Sequence, residues 1–173
     1  MQKALTTGTT GVLGRAIVKS AVGAGLAIAM ACDIRIAAES AFVSTGYLRV
    51  GLSGDYGIAW LLTRLVGTSR ARELMFTSDK VDAARCERIG LVNRVVPDAK
   101  LQQEAFALAK SIAEGPTIAL RYMKDNLDEA LLFDFATARD HEAERLIRTT
   151  TTADHREAVQ AFIEKRKAVF KGN

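Results

Sequence analysis

Hydrophobic positions fall into short apolar runs through the first hundred residues and into helical stripes after them. Residues 25–32 are apolar on every side, the pattern of a short buried helix, and Gly23 and Gly25 flank Ala24 at its start. Ile34-Arg35-Ile36-Ala37 reads as a short strand ending at Glu39-Ser40, and Phe42-Val43-Ser44-Thr45 as a second. Gly51, Gly54 and Gly57 punctuate a loop. A helix is predicted over 58–65, stopped by Gly67, and another over 69–77 with Ala71, Leu74 and Met75 on one face. Then come a helix over 81–89 that opens near Asp82, a strand over 91–96, and helices over 98–114, 116–130, 132–149 and 153–169. Asp154 is expected to cap the last of these, and Thr149–Thr152 to link it to its predecessor.

The small residues at 23–25 carry chemistry as well as shape. Backbone N–H groups at a helix start lack intrahelical partners and can point at a ligand oxygen. With no bulky side chain in the way, such a turn supplies one half of an oxyanion hole.

The first twenty residues differ in character. Thr7-Gly8-Thr9-Thr10-Gly11-Val12-Leu13-Gly14 has the spacing TGxxGxxG, and Arg15–Lys19 after it reads as helical. This resembles the dinucleotide-binding turn of short-chain dehydrogenase-like Rossmann domains, which implies NAD binding by an oxidoreductase. In that frame residues 26–32 become the second strand and Asp33 the acidic residue on the ribose. The strand before the turn, Lys3–Thr6, is barely apolar, and Tyr47, Tyr56 and Tyr122 all lack a lysine four residues on. The other reading is a loop and helix of a different fold, or sequence left by an N-terminal truncation.

Composition narrows the field only a little. The 24 basic and 20 acidic residues give a net charge of +4, suited to an anionic ligand but not specific for one. Lys and Arg form no basic block interleaved with aromatics, which argues against nucleic acid as a partner. Cys32 and Cys86 are isolated, reading as reduced thiols, and no His/Cys/carboxylate cluster has metal-ligand spacing. The longest apolar stretch, 26–32, is too short to cross a membrane, and no signal peptide is visible, so a cytoplasmic protein is expected.

Three segments in order carry a family resemblance: VGAGLAIAMACDIRIAAESA, then RVGLSGDYGIAWLLTRLVGTSRARELMFTSDKVDAARCERIGLVNRVVP, then TTADHREAVQAFIEKRKAVF. Over residues 21–173 the chain resembles the crotonase superfamily, the enoyl-CoA hydratase/isomerase enzymes. The resemblance implies an α/β crotonase-like β-spiral with a C-terminal helical region, and the family's N-terminal part is not recognisable, so the chain reads as shortened. It divides the chain into an atypical segment 1–20, a core 21–110 and a helical trimerisation region 111–173. It implies an acyl-CoA substrate that brings its own CoA, no further cofactor, no metal, and a homotrimer or hexamer.

The resemblance also places site residues. Hydratases of the family use two glutamates, one as base and one as acid; their positions fall here on Ala27 and Tyr47, and 22–31 and 45–49 hold no acidic residue. Two-glutamate hydration is therefore disfavoured. Asp55, in Gly51-Leu52-Ser53-Gly54-Asp55-Tyr56-Gly57, aligns with an aspartate that isomerase-type members use to move a proton along the acyl chain. The alternative for Asp55 is a loop residue capping the helix near Ile58. Ala24 matches the backbone oxyanion donor beside Gly23. Tyr47 either lines the acyl pocket or packs in the core. Phe162 and Lys165, in the terminal helix, are candidates for the adenine ring and a CoA phosphate, or are solvated surface residues. His141 and His155 read as exposed helical residues.

Overall fold

The computed structural model describes residues 4–6 and 15–173, so the TGxxGxxG run at 7–14 lies outside the described residues. The chain divides into two compact units, one ending at Ala107 and the other spanning Leu108–Asn173.

In the first unit, strand β2 (Arg15–Val22) leads into helix α1 (Ala24–Met30), which returns the chain to β3 (Ile34–Ser44). β2 and β3 pair in parallel, the geometry that a helical crossover permits and a tight hairpin does not. β1 (Ala4–Thr6) pairs antiparallel with β2, β4 (Val81–Asp82) antiparallel with the end of β3, and β5 (Arg94–Val96) parallel with its start. β3 is thus the strand around which the sheet is built. Ala27, Ala29, Ala37, Ala38 and Ala41 are all buried, and such small side chains let α1 lie close against β2 and β3.

Several expectations change. Residues 15–19 form the start of a strand, not a helix, because their short apolar run pairs with β3; an apolar run of that length suits either state. Residues 26–30 are helical where the dinucleotide frame requires a strand. The two strands read over 34–45 are one. Val18 pairs with Ala37 but Ser20 with Phe42, so β3 carries extra residues across a bulge. Glu39 and Ser40 are exposed there, and Ser40 N donates to Asp98 Oδ2 at 3.1 Å. The strand read from residue 91 begins at Arg94.

Helix α2 (Ile58–Thr77) buries Ile58, Leu62, Val66, Ala71 and Leu74. Gly67, at φ 78° and ψ 165°, breaks it into the two segments expected from the sequence. In place of one helix over 81–89, β4 is followed by α3 (Ala83–Arg88), whose N-cap Asp82 accepts from Arg85 N at 2.7 Å. α4 (Leu101–Ala113) crosses the boundary between the units.

The second unit holds the end of α4, then α5 (Thr117–Glu129), α6 (Phe135–Thr150) and α7 (Ala153–Ile163). Glu129 joins α5 to α6, accepting from Arg145 Nη1 at 2.8 Å and pairing with His141 Nδ1 at 2.8 Å. These partners, Arg145 first, draw the Glu129 carboxyl down to about 2. Two corrections fall at the tail. Asp154 does not cap α7: Thr152 does, accepting from His155 N at 3.1 Å. Asp154 is buried and accepts from Lys171 N at 2.7 Å and Gly172 N at 2.9 Å, fastening the chain end back on α7. The helix expected to run to 169 stops at Ile163. Lys165 turns left-handed at φ 54°, and Arg166 folds back onto Glu157 at 2.5 and 2.9 Å.

Candidate active site

The site begins at the turn between β2 and α1. Gly23 sits at φ 57° and ψ −127°, a conformation strained for residues with a side chain. Its N–H donates to Ser44 O at 3.2 Å, and its carbonyl accepts from Leu26 N at 3.0 Å and Ala27 N at 3.1 Å. Among the described residues Ala24 N–H has no partner, so it is an available donor at the helix start. A Cβ on Gly23 would lie 3.7 Å from Thr45 O and 3.9 Å from Tyr47 Cζ. The turn and the Tyr47 ring are neighbours.

Arg35 secures the other end of α1. Its buried guanidinium donates to Cys32 O, to Leu91 O at 2.8 Å and to Met30 O at 3.4 Å. A cation on the last carbonyls of a helix satisfies orphan acceptors and complements the dipole.

A network of hydroxyls holds the segment leading to Tyr47. Ser44 Oγ donates to Ser78 O at 2.8 Å, Thr45 Oγ1 donates to Leu74 O at 2.9 Å, and Leu48 N donates to Ser78 Oγ at 3.3 Å. Ser78 is fully buried at φ 50°, a left-handed conformation rare for a residue with a side chain. This network had no signal in the sequence, since its members lie thirty residues apart and match no motif. Gly46, at φ 73°, packs so closely that a Cβ would stand 2.7 Å from Val22 Cγ1.

Tyr47 is 7% exposed, and its hydroxyl donates to Asp55 Oδ1. Burial, reinforced by that hydrogen bond and by the Asp55 charge, pushes the phenol up to about 12. Asp55 itself is exposed, on a loop bent by Gly54 at φ 116°, Tyr56 at φ 48° and Gly57 at φ 69°. Gly57 is the N-cap of α2, which has no side-chain cap, so the Asp55 carboxylate is not a capping group; only its carbonyl accepts, from Ile58 N at 3.0 Å. Ala27, at the first glutamate position, is buried and apolar.

Gly23, Tyr47 and Asp55 therefore lie in direct succession, with Ala24 N–H at the adjoining helix start. Phe162 and Lys165 belong to the second unit: Phe162 is 85% exposed in the last turn of α7, and Lys165 lies exposed past its end, not on the helix expected to carry it. His141 is held by Glu129 and meets the Phe133 ring edge-on at 5.5 Å. His155 is exposed in the first turn of α7. Cys86 is buried, which raises its thiol to about 12, away from reactive thiolate character. Among the described residues no cluster of His, Cys, Asp and Glu could hold a metal ion, and no helix is long and apolar enough to cross a membrane.

An available backbone donor at a turn that neighbours the Tyr47 ring, with a carboxylate held at the far end of that ring, can stabilise a developing oxyanion while a proton moves. Comparison with known proteins identifies the setting. The enoyl-CoA hydratase/isomerase family matches residues 5–173. A short-chain-enoyl-CoA hydratase of Clostridium acetobutylicum is 37% identical over 147 residues, 85% of this chain and 56% of its own length. A crotonyl-CoA hydratase of Syntrophomonas wolfei is 37% identical over 150 residues, 87% of this chain and 58% of its own length. The chain thus spans under three fifths of the length of these two relatives. The solved enoyl-CoA hydratase of Bacillus anthracis superposes with a TM-score of 0.86 at 34% identity, over 89% of this chain and 60% of that one. The chain has the crotonase-like fold and belongs to the enoyl-CoA hydratase/isomerase family.

Proposed function

We propose that this chain acts on an acyl-CoA thioester through an oxyanion-stabilised enolate, and that it shifts a double bond by proton transfer instead of adding water. Asp55 is the base. It takes an α-proton from a 3-enoyl thioester, the C–H electron pair becomes part of the dienolate, and the proton returns at the γ-carbon. Ala24 N–H is one donor to the thioester oxygen as its charge develops. The observation that supports this most is the Tyr47–Asp55 hydrogen bond: the carboxylate is tied to a side chain standing where a hydratase has its second glutamate. Ala27 at the first position points the same way, since a water molecule would find no carboxylate there.

Exposed apolar side chains of the second unit, among them Leu127, Leu132, Phe135 and Ile147, support assembly into the homotrimer or hexamer that the resemblance implies. Phe162 and Lys165, both exposed, are proposed contacts for CoA.

The test offers the chain hex-3-enoyl-CoA and hex-2-enoyl-CoA in separate assays. Double-bond migration without hydration is expected, falling by about 10²–10⁴-fold in Asp55→Asn, the range for losing a general base. Hydration of the 2-enoyl ester at an equal or greater rate would refute the reading. Binding of both esters with no turnover of either would favour a non-catalytic acyl-CoA binder.

A further inference from the structure

The family frame accounts for a carboxylate at 55 but not for a buried tyrosine at 47. Core packing alone would be served by phenylalanine, yet the one polar atom of this ring is used, and on a single partner: Tyr47 Oη donates to Asp55 Oδ1. The ring end is fixed from other directions as well. Gly23 leaves room beside Cζ, where a Cβ would stand 3.9 Å away, and the residues on either side of Tyr47 are anchored, Thr45 through Leu74 O and Leu48 through Ser78 Oγ. Beyond Tyr47, the Asp55 carboxylate has no such support among the described residues. It is exposed, it caps no helix, and its loop passes through three left-handed residues within four positions. A rigid donor therefore holds a carboxylate whose own surroundings do not fix it.

We infer that Tyr47 is a positioning residue for Asp55: its hydroxyl holds Oδ1, leaving Oδ2 as the oxygen that receives and returns the proton. Among the described residues Oδ2 has no hydrogen-bond partner, as a working base oxygen requires. Holding the base in one orientation confines it to near-attack geometry, and the benefit appears in turnover and not in binding. The inference rests on the proposed role of Asp55.

The test uses the whole chain with hex-3-enoyl-CoA, comparing wild type, Tyr47→Phe, Asp55→Asn and a chain with 3,5-difluorotyrosine at position 47. Tyr47→Phe is expected to lower kcat about tenfold or more while KM stays within about twofold, because the ring that packs is kept and only the donor is lost. The difluoro side chain keeps the donor but is a stronger acid. Its activity should therefore fall at lower pH than that of wild type, as its hydroxyl ionises; the Phe variant should show no such limb. The titratable groups acting on this phenol are Asp55 and Tyr56, so Tyr56→Phe should leave the limb in place. Wild-type kcat in Tyr47→Phe, with Asp55→Asn inactive, would overturn the positioning role and leave the role of Asp55 standing. Full activity in Asp55→Asn would overturn both.

Discussion

The hydroxyl of Tyr47 donates to Asp55 Oδ1, joining a buried ring just past the end of β3 to an exposed loop ahead of α2. The ring and the hydroxyl contribute separately. Removing only the hydroxyl in Tyr47→Phe should cost about 1 kcal/mol, the usual net value of one hydrogen bond. Removing the ring in Tyr47→Ala should cost about 3–5 kcal/mol, as a buried aromatic leaves a cavity behind. Urea denaturation of both variants measures the difference; equal losses would show that the ring is not packed as described.

Gly23 answers to backbone geometry and not to space. A methyl group would meet only ordinary contacts, 3.7 Å from Thr45 O and 3.9 Å from Tyr47 Cζ, but φ 57° with ψ −127° is strained for any residue with a Cβ. Gly23→Ala should therefore destabilise the chain by about 1–3 kcal/mol and misdirect Ala24 N–H, lowering turnover as well. Urea titration alongside an isomerisation assay checks both effects.

Arg35 is a buried cation whose side chain donates, among the described residues, to the backbone carbonyls of Met30, Cys32 and Leu91. Arg35→Met fills much of the same volume but leaves these acceptors without a donor, at about 1–3 kcal/mol for each buried group left unsatisfied. A loss of about 3 kcal/mol is expected, with the C-terminal end of α1 exchanging its amide protons faster than in wild type.

The second unit should respond to acid through Glu157. Arg166 first, then Val169 N–H, draw its carboxyl down to about 2 from an ordinary value of 4.5. A group whose pKa is depressed on folding contributes stability above its unfolded value, and that contribution is lost as pH falls toward the folded one. The melting temperature should therefore drop between about pH 5 and pH 2, and Glu157→Gln should flatten that part of the profile. Glu129, also drawn to about 2 by Arg145 and His141, adds to the same window, so the double variant should be flatter still.

Much of this architecture is legible in the sequence, for physical reasons that differ by region. The buried helix after Gly23, the break at Gly67 and the helices from α4 onward follow from local patterns of apolar residues and glycine. What escapes depends on partners far along the chain. β2 looks helical because Ala16-Ile17-Val18 fits either period, and only pairing with β3 decides it. Glu39-Ser40 looks like a strand end, yet the strand continues through a bulge whose Ser40 meets Asp98. Lys165 looks helical, but Glu157 and Asp154 draw the tail back first. At the site, the residue types at 23, 24, 47 and 55 are readable one by one. The Tyr47–Asp55 bond is not, because a tyrosine eight residues from an aspartate across a glycine-rich loop has no fixed geometry until the loop folds.

The most direct test of the account is single-turnover exchange in deuterated water. Excess chain is mixed with hex-3-enoyl-CoA, quenched over time, and the thioester analysed by mass spectrometry for deuterium at the α- and γ-carbons. The account predicts conversion to the 2-enoyl ester by wild type without formation of a hydrated product, the γ-hydrogen coming from the α-carbon or, where the proton on Asp55 exchanges first, from deuterated water; with Asp55→Asn it predicts no conversion above background. Equal conversion by the two proteins would contradict it, because the proton would then be moving through some other group.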